Sequence, residues 1–367
     1  MFWMIVFGGL ILLGAASVFY LLTRFHRFAP IARLAEQHRA LSWLAAALPV
    51  LALSGFLFFN ISTLIVVLIH LMVIWMLCDL IGLIVRKIAG KPRNRRYPEG
   101  ICAMLLTAGV LCAGWYYAHH IYETHYRFTT DKALENGSLR VVLIADSHLG
   151  ITLDGEKFAE QMRRIEAVKP DLVVLSGDFV DDESKAEDME RAAAALGSIR
   201  TTYGVYYAHG NHDRGYYGTR SFSLQDVKET LERNGVTVLE DQTVSPGGSL
   251  NVIGRLDKSF GNRRSAEQLT APLDMTGYTI CLDHQPNDYE NEAAAGIDLV
   301  LSGHTHGGHI FPAGYVGLLA GMNDRVYGTE RRGSTDFVVT SGISGWAIPF
   351  KTGAISEYVV IDIESKP

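Results

Sequence analysis

Residues 61–85 read "ISTLIVVLIHLMVIWMLCDLIGLIV", twenty-five residues with one carboxylate and one imidazole between them. A bilayer core takes about 20 apolar residues per helix. Three further runs approach that length: 1–22, 42–59 and 100–120. The expectation is a transmembrane region over 1–120, with four spans near 1–22, 42–59, 61–85 and 100–120. The first run has no basic start and is read as a permanent span rather than a removed signal peptide. Basic residues fall in two connections: Arg24, Arg27, Arg33 and Arg39 in one; Arg86, Lys87, Lys91, Arg93, Arg95 and Arg96 in the other. Placing both in the cytoplasm puts both ends of a four-span chain outside. The protein is then expected in the inner or plasma membrane, with everything after residue 120 on the periplasmic or extracellular side. Trp3, Trp115, Tyr116 and Tyr117 suit interface anchors. His70 and Asp79 lie inside the third span, where an ionisable group is a functional candidate. Asp79, about two turns from Arg86, is read as reaching the interface.

The remainder has an ordinary soluble composition, with 121–138 read as a linker and 139–367 as one α/β domain. A net charge of −6 gives no reason to expect a nucleic-acid partner. Cys78, Cys102, Cys112 and Cys281 form no CxxC, which argues against a thiolate metal site or a disulfide framework. Strand-like runs at 139–146 and 171–178, and strands running into loops at 204–213, 277–286 and 296–308, alternate with helix-like stretches at 155–170, 183–199 and 223–235. Later runs at 336–344 and 356–364 have no helix between them. That pattern favours two packed sheets with helices outside.

Five of the apolar runs end at once in metal-ligand residue types: Asp146 and His148 in "DSH", Asp178 in "GD", Asn211, His212 and Asp213 in "GNHD", His284 in "DHQP", and His304 and His306 in "GHTHGGH". Ligand sites of α/β sheets gather beyond the carboxyl ends of strands. On strand-like backbone, residues two apart point the same way, so each DxH or HxH pair can aim two ligands at one place. Carboxylate, imidazole and amide oxygen without thiolate suit Mn, Fe or Zn. The neighbouring Gly177, Gly210, Gly303, Gly307 and Gly308 are read as room for a bulky phosphate. Ser147 is expected to point away, which leaves no serine nucleophile. Asp181, Asp182 and Glu183 are read chiefly as a solvated helix start, with hydrogen-bond partners for the ligands as the alternative.

As a set, these motifs resemble those of the calcineurin-like metallophosphoesterases, over about 139–362. The resemblance implies a β-sandwich flanked by helices and two divalent metal ions, manganese first, with iron or zinc also compatible. It places one metal on Asp146, His148, Asp178 and His306. Asp178 bridges to the second, which also takes Asn211, His284 and His304. His212 is implied to meet the phosphate or leaving group, oriented by Asp213, while a hydroxide shared by the metals attacks phosphorus. His309 departs from the "GHTHGGQ" usual in membrane-associated relatives, and a substrate contact or a plain loop role is open to it. Apolar stretches at 310–322 and 343–350, with Tyr216 and Tyr217, suggest a rim that dips toward lipid. Arg214 and Lys351 are candidates for a second anionic group. The expected function is a membrane-anchored phosphoesterase that cleaves a phosphodiester or pyrophosphate bond in a phospholipid, glycolipid or lipid-linked headgroup. The alternatives are an enzyme of soluble esters whose helices only anchor it, and a catalytically inert membrane sensor.

Overall fold

The computed structural model describes residues 2–90, 92, 96–247 and 249–366. The chain divides into two units, Met1–Gly114 and Trp115–Pro367.

In the first unit the long apolar runs are helical, the form in which a segment pairs its backbone groups within itself. The helices are α1 Phe2–Phe25, α2 Ala29–Gln37, α3 Arg39–Ala52, α4 Ile61–Ala89 and α5 Pro98–His119, which crosses the unit boundary. A short 3-10 turn, Leu53–Phe58, prolongs α3. The described residues include four helices long and apolar enough to cross a membrane: Gly8–Phe25, Arg39–Phe58, Ile61–Ala89 and Pro98–His119. Asn60 sets the tight break before α4, accepting a 2.8 Å hydrogen bond from the Thr63 amide. Gly90, at φ 62°, ends that helix in the left-handed conformation a glycine tolerates. Leu21, Phe25, Leu71, Trp75 and Tyr97 form the packed centre.

Asp79 does not turn to Arg86, which pairs with Glu99 instead. Its carboxylate lies 3.1 Å from Arg24 Nε and accepts from Arg27 Nη1 at 3.0 Å and the Tyr97 hydroxyl at 2.7 Å. His70 makes a 2.8 Å bond from Nδ1 to the Val66 carbonyl of its own helix. Lys91, Arg93, Arg95 and the Trp3 side chain lie outside the described residues.

The second unit starts with β1 Ile121–Thr130, so the expected linker is mostly strand. Its β-branched and aromatic residues alternate in burial and pair in parallel with β12 Ser356–Ser365. Between these come β2 Ser138–Ile144, α6 Gly155–Ala167, β3 Leu172–Ser176, α7 Ala186–Gly197, β4 Val205–Ala208, α8 Leu224–Arg233, β5 Thr237–Leu239, β6 Gln242–Gly247, β7 Leu250–Gly254, α9 Ala266–Thr270, β8 Tyr278–Leu282, α10 Tyr289–Ala294, β9 Leu299–Ser302, α11 Ala313–Leu319, β10 Gly328–Arg332 and β11 Thr335–Val339. One sheet runs β1-β12-β2-β3-β4-β5 and the other β10-β11-β9-β8-β7-β6.

The sheets pack face to face. Along β2, Val141 and Leu143 join the core between them, with Leu282, Leu301 and Ile361. Val142 and Ile144 face the other way and pack with Phe158 of α6, Leu196 of α7 and Leu231 of α8. That division is the period-2 alternation of a strand buried on both faces. Leu269 of α9 and Tyr289 of α10 cover the second sheet's outer face with Cys281 and Phe337. The result is the expected β-sandwich flanked by helices.

Candidate metal centre

Strands β2, β3 and β4 run parallel, as do β8 and β9, so their carboxyl ends open on one side of each sheet. The candidate residues follow those ends, but they are not strand-like. Asp146, His148, Asp178, His304 and His306 all have positive φ, at 55°, 36°, 52°, 69° and 49°. Left-handed backbone is uncommon for side chains of this kind and clusters at functional sites. Strand alternation is therefore not what aims these pairs; tight turns do so after the strands have ended.

The side chains gather in three overlapping groups: Asp146 with His148 and His306; Asp178 with His284 and His304; and His148 with Asp181 and His212. Within each group, one ligand atom per residue lies within 4.8 Å of the others. Asn211 is buried and its Oδ1 has no hydrogen-bond partner. Its amide nitrogen lies 3.2 Å from the Tyr216 hydroxyl. Ser147 is buried, and its hydroxyl meets no protein partner.

Electrostatics within the cluster are strong because it is buried. Burial lifts Asp146 to about 6, against the pull of His284. Burial acts the same way on Asp178, but the charges of His284 and His212 more than offset it and hold that carboxylate well below its usual range. His212 is pushed down by burial, yet Asp178 and Asp181 lift it to about 9. Burial and the charge of His284 bring His304 down to about 4.

Two roles differ from expectation. Asp213 accepts from four backbone amides, those of Asp178 at 2.9 Å, Phe179 at 2.9 Å, Val180 at 3.1 Å and Gly210 at 2.7 Å. It clamps the two ligand loops together. The carboxylate that orients His212 is Asp181, with Oδ1 3.1 Å from His212 Nδ1 and Oδ2 2.9 Å from His148 Nδ1. Asp181 and Asp182 are buried rather than a solvated helix start, and only Glu183 is exposed. Asp182 accepts from the amides of Tyr216 and Tyr217. The only sequence signal for this was three acidic residues, three to five positions ahead of α7 and three to five beyond the candidate ligand Asp178.

Gly177, Gly210 and Gly303 make room for ligand side chains, whereas Gly307 and Gly308 lie against Ser341 and Gly314. A Cβ at Gly210 would strike Asp178, and one at Gly303 would lie 2.5 Å from Asp146 Oδ2. Lys351 is fully buried and donates to the carbonyls of Ser341, Gly342 and Ile355 at 2.7, 3.2 and 3.1 Å, so it meets no second phosphate. Arg214 is exposed and donates to the Ser259 carbonyl at 2.8 Å. His309 stacks on His306 with ring centroids 5.3 Å apart.

The sequence pattern of the calcineurin-like phosphoesterases matches residues 139–308. An uncharacterized metallophosphoesterase of Campylobacter jejuni is 30% identical over 234 residues, 62% of this chain and 60% of that one. The chain thus spans about three fifths of that relative's length. A transmembrane protein with metallophosphoesterase domain from Bos taurus is 28% identical over 245 residues, 63% of this chain and 54% of that one. An uncharacterized metallophosphoesterase of Aquifex aeolicus is 30% identical over 249 residues, 66% of this chain and 91% of that one. The chain belongs to the metallophosphoesterase family.

Family membership raises the question of whether these residues fit a pair of cations. His284 Nδ1 lies 2.9 Å from the Ser176 carbonyl, an acceptor only, so Nδ1 carries the proton. Nε2 faces Asp178 Oδ2 at 3.1 Å: protonated, it supplies the charge that holds that carboxylate down; deprotonated, it turns a lone pair there. His148 Nδ1 likewise faces a carboxylate, and its Nε2 lies 3.1 Å from His306 Nε2. Two imidazole nitrogens this close need a proton or a metal ion between them. Imidazoles whose far nitrogen is fixed by a carbonyl or carboxylate are what a divalent cation takes as ligands. The metallophosphoesterase residues present fit the group.

Proposed function

We propose that the chain is a membrane-anchored, two-metal phosphoester hydrolase that acts on a phosphorylated lipid headgroup outside the cytoplasm. Asp146, His148, Asp178 and His306 would hold one divalent ion, and Asp178, Asn211, His284 and His304 the other. Oxygen and imidazole ligands favour manganese, and metal analysis of the purified protein decides between it, iron and zinc. Bound there, the ions supply the Lewis acidity that activates water and offsets charge on the phosphoryl oxygens. The protein's own part is positional. Asp181 holds His212 by Nδ1, which leaves Nε2 to donate toward the leaving oxygen. Asp213 fixes the amides that carry Asp178 and Asn211 on their loops.

The observation that carries the lipid reading is where apolar surface lies. Among the described residues from 121 onward, large apolar side chains are exposed only at 216–217 and 311–327, the stretches that directly follow "GNHD" and "GHTHGGH". Tyr217 is 80% exposed, Phe311 62% and Leu319 87%. Exposed apolar surface concentrated in one region marks an interaction site, and here it flanks the phosphate chemistry. The 343–350 stretch contributes less, since Ile343, Ile348 and Phe350 are core.

The test is turnover of a detergent-solubilised phospholipid panel beside bis-p-nitrophenyl phosphate. Phe311→Asp with Leu319→Asp should cut lipid turnover about tenfold or more, from lost apolar contact, and spare the soluble ester. Turnover of soluble esters alone would defeat the lipid reading and leave the helices as an anchor. A reporter enzyme fused after residue 366, active only outside the cytoplasm, tests the orientation.

A further inference from the structure

A second phosphate-compatible site lies away from the metal centre, where α5 ends and β1 begins. There a cleft of about 250 Å³ is lined by His119, His120, Lys157, Glu160, Gln161 and Arg164, with apolar neighbours. Lys157, Gln161 and Arg164 stand at i, i+4 and i+7 of α6, which puts them on one face of that helix.

Three observations bear on what the cleft takes. The first is its level. Trp115, Tyr116 and Tyr117 are exposed in the last turns of α5, one of the helices apolar enough to cross a membrane, and such aromatics sit at headgroup depth. The His119 ring stacks on Trp115 and the His120 ring on Tyr116, at 3.9 and 5.0 Å. The second is charge. Among the described residues, the ion-pair partners of Lys157 and Arg164 are exposed carboxylates one turn away, Asp154 at 3.4 Å and Glu160 at 3.5 Å. Pairs of that kind are weak and yield to a better anion. The third is Gln161, which is 7% exposed and lines the cleft, with an Oε1 that has no hydrogen-bond partner. A buried amide oxygen left unpaired is costly, and it calls for a ligand that donates.

We propose that this cleft binds the headgroup of an anionic phospholipid that carries hydroxyls, its phosphate on Lys157 and Arg164 and a hydroxyl donated to Gln161 Oε1. The proposal rests on the reading that α5 spans the membrane. It names a lipid that holds the unit at the surface, distinct from the lipid that would be hydrolysed.

Native mass spectrometry of the full-length protein in detergent tests it, using phosphatidylglycerol, phosphatidic acid and phosphatidylcholine of identical chains, with inorganic phosphate as the soluble arm. Wild type should retain phosphatidylglycerol over phosphatidylcholine. Lys157→Glu with Arg164→Glu should lose that preference by about fivefold for each cation removed. Gln161→Leu should keep the preference for anionic lipid but lose the one for phosphatidylglycerol over phosphatidic acid. Hydrolysis of bis-p-nitrophenyl phosphate should be unchanged in all variants, which shows that they fold. Equal retention of the three lipids by wild type would overturn the proposal, as would a preference that survives the double charge reversal. Displacement by inorganic phosphate would assign the cleft to a soluble anion and overturn the lipid assignment. Extraction by alkaline carbonate separates the premises: a released protein defeats the spanning reading too, whereas a retained protein without lipid preference defeats the headgroup site alone.

Discussion

Asp283 and His284 are neighbours just past the end of β8, and each feeds a different cluster of buried charge. Asp283 faces Arg255 Nη1 at 2.8 Å and Arg263 Nη1 at 3.0 Å, and Arg255 also reaches Asp288 at 2.8 Å and Glu292 at 3.1 Å. Burial and the nearby Asp283 charge push Glu292 well above its ordinary range, so it holds a proton and two carboxylates remain for two guanidiniums. That cluster neutralises itself. His284 joins the other cluster, where the ion-pair partners of Asp146, Asp178 and Asp181 among the described residues are all imidazoles. A guanidinium cannot give up its charge or its place. Imidazole can release a proton and offer a lone pair in its stead. One cluster is therefore closed by the chain's own cations, and the other is built to accept foreign ones.

The sharpest way to break this contrast is to remove the carboxylate shared by both halves of the open cluster. Asp178→Asn should lower metal-dependent hydrolysis on the order of a thousandfold, since residues that act as a unit fail together. Metal content should fall in the same sample. Chelation of the wild type should lower its melting temperature, because each ion present at a hundred times its dissociation constant adds about 2.7 kcal/mol. Full activity in Asp178→Asn would refute the site. The closed cluster should behave in the opposite sense. Arg255→Leu takes the buried guanidinium away from Asp283 and Asp288, leaves both carboxylates to Arg263, and should cost about 3–5 kcal/mol in denaturant unfolding. Its metal stoichiometry should stay that of wild type, and loss of metal without loss of stability would contradict the division drawn here.

Asp181 stands between the two kinds of behaviour: among the described residues it meets no guanidinium or ammonium, yet it fixes two imidazoles of the open cluster. Asp181→Asn keeps the shape and one acceptor oxygen but removes the charge that holds both Nδ1 protons. Activity or metal affinity should drop about 10- to 100-fold, the usual range for a carboxylate behind a ligating histidine. Asp213→Asn should act differently, loosening four amides and lowering stability along with activity. If the two variants prove indistinguishable, the separate roles assigned to them are wrong.

Asp181 also marks where sequence reading stopped. Ligand types could be read because each follows an apolar run, and a run's end is local information. The helices of the first unit were legible for the same reason, since length and apolarity are properties of one segment. Partners are not local. Asp181 reaches a histidine 33 residues before it and another 31 after it, and its sequence context is that of a helix start. Lys351 read as a candidate for a second anionic group because nothing nearby in the sequence shows that three carbonyls enclose it. The left-handed turns at Asp146 and Asp178 were hidden because only glycine advertises positive φ. β1 was taken for a linker because its stability comes from β12, over two hundred residues away.

The smallest effect belongs to a pair outside both clusters. Glu240 meets His209 Nε2 at 3.1 Å on one oxygen and Lys228 on the other. The hydrogen bond from His209, opposed by burial and aided by Lys228, holds Glu240 at about 2 against an ordinary 4.5. The folded protein thus binds this proton more weakly than the unfolded chain does. The stability Glu240 contributes is complete above pH 4.5 and is lost as pH falls from there toward 2. Glu240→Gln cannot take up that proton, so its melting temperature should fall less steeply across the same interval. At neutral pH the substitution should cost no more than about 1 kcal/mol, as for a partly exposed pair. Parallel acid titrations of the melting temperature in wild type and variant would count against the assigned shift. A difference confined to that window, with hydrolysis and metal content unchanged, would show that this ion pair affects acid stability without contributing to the open cluster.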